Sequence, residues 1–153
     1  MPITKTGTSS IWMSLARIAV GIMFLFFAQY KLMHTAFAHG GFESWVRPWY
    51  ESTSFHFYRP FLGFTLKHQV LFAYATGILE LGIGLSMLIG WQVRVFSILG
   101  MLFMLNLVLA TWYGPPPGSA WWMYLGRELD NIPMLLLFLI FFVHRAGETL
   151  GVD

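Results

Sequence analysis

Four long apolar stretches decide what this chain can become. Residues 11–33 read IWMSLARIAVGIMFLFFAQYKLM, and comparable stretches follow at 68–90, 92–113 and 124–145. Each approaches the roughly 20 residues a helix needs to cross a bilayer. A soluble domain carries about 25% charged residues. This chain of 153 residues carries 10%, with 57% hydrophobic. The expectation is an all-α, integral membrane protein, a single membrane domain over residues 1–153 built as an antiparallel four-helix bundle.

The connections refine that picture. Only Trp91 separates the second and third stretches, which forces a tight antiparallel hairpin. Residues 34–67 join the first two stretches and include WVRPWYESTSFHFYRPFLGF, where aromatics alternate with Arg, Glu and Pro. They are expected to form a long aromatic interfacial loop, because Trp and Tyr prefer the headgroup level. GPPPG at 114–118 reads as a stiff extended spacer, followed by the aromatic anchor WWMY. The purely apolar part of the last stretch, IPMLLLFLIFFV, reaches only about 18 Å as helix, so spanning requires it to draw in LGRELDN upstream. AFA at 36–38 imitates a signal-peptide cleavage site, but the apolar region before it is too long and Arg17 interrupts it. An uncleaved span is expected.

Charge and cysteine content exclude several classes. The net charge of +2 comes from few charges of either sign, so nucleic acid is not an expected partner. Lys5, Arg17, Arg94 and Arg145 fall on the side of the termini, and Lys31, Arg47, Arg59, Lys67 and Arg127 on the other. A split this even leaves orientation undecided by the positive-inside rule. With no cysteine, the chain supplies no disulfide, thiol redox centre, iron–sulfur ligand or Cys-bound zinc. The histidines, His34, His39, His56, His68 and His144, all lie at helix ends or in the loop. A haem held between two mid-membrane histidines is therefore not expected; ligation near the interface by His34 and His68 stays open, and each histidine alone reads as an interfacial anchor. No metal or other intrinsic cofactor is expected.

Within GILELGIGL, residues 77–85, stands Glu80. A charge near a bilayer centre costs between ~3 and ~15 kcal/mol and is kept where it pairs or functions. On its helix, Ala73, Gly77, Glu80, Gly84 and Met87 share one stripe, and Arg17, Gly21, Phe24, Ala28, Lys31 and Thr35 share one on the first helix. Measured from the end the two helices share, Arg17 lies about 9 Å deep and Glu80 about 15 Å. A buried Arg17–Glu80 ion pair is expected, either fixing which helix faces which or handling protons beside a bound redox ligand. A second face carries Gly82, Ser86 and Gly90, a small-residue ladder for close packing inside the chain or against another membrane subunit.

At the opposite end, Lys31 and Asn106 meet Arg127, Glu128, Asp130 and Asn131, and the loop returns His56, Tyr58 and Arg59 to the same side. Convergent polar groups at the mouth of a helix bundle form a candidate ligand site; the alternative is a solvated helix end, with Asp130 and Asn131 serving as caps and Pro133 suiting an early helical position.

These features resemble the DoxX family of small membrane proteins. The resemblance rests on Arg17 and Lys31, WYESTSFHFYRPFL, LFAYATGILELGIGLSMLIGWQVR and MLNLVLATWY, and WMYLGRELDN is similar to the DoxD branch, which resembles the membrane subunit of thiosulfate:quinone oxidoreductase. It implies an antiparallel four-helix bundle in the inner membrane with both termini cytoplasmic, and a link to quinone-coupled oxidation. Quinone is then the implied ligand and other membrane or peripheral redox subunits the implied partners, besides membrane lipid itself. The alternative is a non-catalytic accessory subunit that stabilises a larger respiratory or photosynthetic assembly.

Overall fold

The computed structural model describes residues 7–114, 118, 120 and 122–153, except for the side chains of 7–10, 124 and 127. Among the described residues there is no strand. The chain folds as α1 (Gly7–Met33), α2 (Phe42–Ser52), α3 (Arg59–Lys67), α4 (Gln69–Ile89), α5 (Val93–Thr111), α6 (Trp122–Arg127) and α7 (Asn131–Val143). Among the described residues three segments are long and apolar enough to cross a membrane: Ile11–Met33, Gln69–Ile89 and Val93–Thr111. The helix α7 is shorter, with 13 residues, about 20 Å by helical rise.

The expected fourth helix over 124–145 is broken. Glu128 to Asp130 form a turn between α6 and α7, and the physical reason is a polar tether. The buried Glu128 carboxylate accepts from Asn131 Nδ2 at 3.0 Å and lies 2.8 Å from Thr111 Oγ1 at the end of α5. Asp130 precedes α7 without capping it through its side chain.

The helix α1 packs antiparallel along α4. A side chain at Gly21 would meet the backbone of Leu88 and Gly84, one at Gly84 would meet Leu25, and one at Gly77 would meet Leu32 and Lys31. Each advance along α1 is thus matched by an equal retreat along α4, and the small residues let the two backbones nearly touch. Similarly, α5 lies along α7, with Gly100 facing the Phe138 ring, and α4 touches α5 where Gly82 meets Phe96. The resulting core draws Val20 and Phe24 from α1, Ile83 and Met87 from α4, Val93 and Met104 from α5, and Phe138 and Phe141 from α7. Outward faces stay apolar: Phe26, Phe27 and Met33 of α1 and Leu136, Leu139 and Val143 of α7 are exposed, as lipid contact demands.

Residues 34–67 are not the expected loop; they form α2 and α3 with a π turn and a 3₁₀ turn beside them. Phe42, Val46 and Trp49 recur at helical spacing on α2, and Leu62 and Leu66 on α3. Pro60 in the first turn of α3 has no intrahelical N–H to lose. Their apolar faces gather with Phe37, Ala38, Ala73 and Ala110 into a second cluster over one end of α4 and α5.

Candidate functional site

The stripes expected on the two long helices are buried as foreseen for Arg17, Gly21, Phe24 and Ala28 on α1 and for Ala73, Gly77, Glu80, Gly84 and Met87 on α4; Thr35 is exposed. The pairing expected between Arg17 and Glu80 is overturned. Arg17, fully buried, donates from Nη1 to Met87 O and from Nη2 to Leu150 O, each at 2.7 Å. It lies against Gly90, ten residues and about 15 Å along α4 from Glu80. The expectation assumed that α1 starts level with the α4–α5 turn, whereas α1 overshoots it and carries Arg17 to the turn itself.

Glu80 pairs instead with Lys31, whose Nζ donates to Oε1. The register explains the choice, since Leu32 and Lys31 face Gly77, one turn from Glu80. Glu80 is only 3% exposed, and its second oxygen, Oε2, has no hydrogen-bond partner among the described residues. An unpaired buried carboxylate oxygen is costly, so this atom marks a position where a further donor would be stabilising. The Lys31 ammonium lies 5.9 Å from the centre of the Phe27 ring and 5.8 Å from that of Phe37. Phe37, in the π turn before α2, belongs to the second apolar cluster, so that cluster borders the pair. Phe27 is exposed on the outer face of α1, which leaves the pair flanked on that side by a lipid-facing ring.

The remaining candidates divide into separate groups. Tyr58 donates to Asn106 Oδ1, and burial pushes its phenol pKa up to about 12. Beside it, Thr53 Oγ1 donates to Leu109 O at 2.8 Å and Ser54 N to Trp112 O at 2.7 Å, which fastens the α2–α3 unit to the end of α5. Arg59 reaches the backbone oxygens of Glu51 and Thr53 at 3.4 and 3.3 Å. Asn131 joins Glu128 and Thr111. His56 and Asp130 are exposed, as are His34 and His68. The side chain of Arg127 lies outside the described residues. Among the described residues no cluster of three or more His, Cys, Asp or Glu is placed to hold a metal.

The small-residue ladder is used within the chain. Gly82 faces Phe96, Ser86 Oγ donates to Trp91 O at 2.6 Å, and Gly90 takes φ 73° in the hairpin turn. Sequence reasoning missed the tail at 144–153. Val152 N and Asp153 N donate to Gly90 O, Ser14 Oγ donates to Thr149 O, and the Asp153 carboxylate accepts from Gln92 N at 2.5 Å and Val93 N at 2.8 Å, capping the start of α5. The glycines at 147 and 151 were its only sequence signal, since each sits where a side chain would strike the backbone or Asp153.

No curated protein and no solved structure matches the chain. The buried Lys31–Glu80 pair and its small-residue seam lie within residues 12–113, and over those same residues, the greater part of the chain, the family model described as DoxX matches. This multi-pass, helical membrane protein belongs to the DoxX family.

Proposed function

We propose that the chain is the membrane subunit of a quinone-linked redox complex, in which Lys31 and Glu80 handle the ligand's oxygen and its proton. One observation carries this reading: the unpartnered Oε2 of Glu80, buried beside an ammonium in an apolar surround. Reduction of a quinone adds protons as well as electrons to its carbonyl oxygens. The Lys31 ammonium is a donor suited to such an oxygen, and the Glu80 carboxyl is a group able to exchange the proton. The exposed Phe27 ring beside Lys31 suits entry from the bilayer rather than from water. Without cysteine the chain itself cannot transfer sulfur, so a partner subunit performs the first half-reaction.

In this reading α1, α4, α5 and α7 form a four-helix bundle across the inner membrane, both termini face the cytoplasm, and α2 and α3 lie in the interface. The helix α7 makes the fourth crossing with help from α6, and the likeness of WMYLGRELDN to the DoxD-like branch supports a place in that branch.

The test is quinone-analogue binding to the purified chain, read by quenching of its tryptophan fluorescence. Wild type should bind, and Glu80→Gln, assayed well below its own unfolding temperature, should bind about tenfold more weakly. Equal binding by both proteins would sink the reading. A second reading, an accessory subunit stabilising a larger respiratory or photosynthetic assembly, draws on the outward stripe of Phe26, Tyr30 and Met33 on α1. Stoichiometric co-purification with membrane partners, lost on replacing that stripe and accompanied by no quinone binding, would favour it.

A further inference from the structure

We propose that the cleft at the start of α5 holds the phosphate of an anionic phospholipid. The cleft has a volume of about 280 Å³ and is lined by Gln92, Arg94, Arg145, Gly147, Glu148 and Asp153. It opens where α5 leaves the α4–α5 turn, beside the exposed Trp91, so it lies at headgroup level.

Arg94 is the informative residue. It stands in the first turn of α5, where the helix dipole disfavours a cation, and it makes no ion pair among the described residues. Its guanidinium is held over the Phe142 ring, 4.8 Å from the ring centre. A cation kept at an unfavourable helix end, steadied by a ring and with no carboxylate at ion-pair distance, is arranged for an anion from outside. The nearby carboxylates are engaged elsewhere: Asp153 accepts from the amides of Gln92 and Val93, and Glu148 pairs with Arg145 at 3.3 Å. Arg145 adds a second guanidinium to the lining, and the planar fork of this group matches phosphate oxygens two at a time.

What lies below Arg94 selects a lipid over a free anion. Ile98, Leu102 and Leu105 follow it on the same face of α5, and all three are exposed. An amphiphile whose phosphate rests on Arg94 would lay an acyl chain along that stripe, a fit that inorganic phosphate cannot use.

The full chain, reconstituted in nanodiscs of equal phosphatidylglycerol and phosphatidylcholine and released for native mass spectrometry, tests this. Wild type should retain phosphatidylglycerol preferentially. Arg94→Gln should lower that preference about fivefold, while Lys67→Gln, an exposed cation at the other end of the molecule, should leave it unchanged. Arg145→Gln, on the open rim, reads the same site if the first variant fails to fold. Undiminished preference in both arginine variants overturns the proposal, as does an equal loss with Lys67→Gln. Added inorganic phosphate should not displace the lipid from wild type; displacement by phosphate alone would identify a free-anion site and overturn the lipid assignment.

Discussion

Lys31 of α1 donates to Glu80 of α4 across 49 residues of sequence, and the other oxygen of that carboxylate is left without a partner. Removing one member of a buried pair strands the other, at a cost of about 3–5 kcal/mol, whereas replacing both with apolar groups is often neutral. Lys31→Met should therefore destabilise the protein by about 3 kcal/mol, and adding Glu80→Leu should recover most of that loss. Unfolding curves in detergent for the two variants check it; a double variant as unstable as the single one would show that the pair is not what holds this region.

The seam between α1 and α4 should be the least forgiving place for a methyl group. At Gly21 a Cβ would meet Leu88 N at 2.7 Å and Gly84 O at 2.9 Å, backbone atoms that cannot swing aside. Gly21→Ala should cost about 3 kcal/mol. At Gly126 in α6 nothing lies within 4 Å, so Gly126→Ala should stabilise by about 0.5–1 kcal/mol through the unfolded chain. The same unfolding assay, run on both, separates close packing from intrinsic helix preference.

Tyr58 gives a pH signature. Its phenol titrates near 12 in the folded protein, against 10.0 ordinarily, because burial disfavours the phenolate. The folded state thus holds this proton more tightly than the unfolded state. The contribution is complete below pH 10, falls as pH rises above it, and is gone past about 12. Tyrosinate absorbance of wild type minus Tyr58→Phe should show one group titrating near 12. A difference curve centred near 10 would mean that Tyr58 is not docked against Asn106.

Arg17 should hold the tail as well as the helices. Its two terminal nitrogens reach Met87 O and Leu150 O, so Arg17→Gln, too short for both, should free residues 147–153. Hydrogen exchange at the amides of Val152 and Asp153, both bonded to Gly90 O, should accelerate about tenfold. Unchanged protection there would mean that Asp153 and the Ser14–Thr149 bond secure the tail without Arg17.

The apolar lengths and the two stripes were legible because helical periodicity is local. Gly77, Glu80 and Gly84 declared their shared face in eight residues of sequence, and that face is buried. The partner of Glu80 was not legible, because it depends on the axial offset between α1 and α4. That offset is fixed by where Gly21 and Gly84 let two backbones meet, a property of the pair and of neither helix alone. In residues 34–67, prolines 48 and 60 masked a helical pattern, Phe42, Val46 and Trp49, that was present all along. The polar candidates at that end were correctly named as polar, yet Tyr58 with Asn106 and Asn131 with Glu128 satisfy one another. Sequence lists donors and acceptors but not their pairing.

The cap on α5 forms late in synthesis. Gln92 and Asp153 are 61 residues apart, and ribosomes add roughly 5–20 residues per second. The α4–α5 hairpin therefore exists for several seconds before the carboxylate that completes its corner has been synthesised. During that interval the first amides of α5 have water or lipid headgroups as their only partners. The tail, once made, thus closes the turn that insertion began, and any treatment that removes it returns the hairpin to its nascent, open-cornered form.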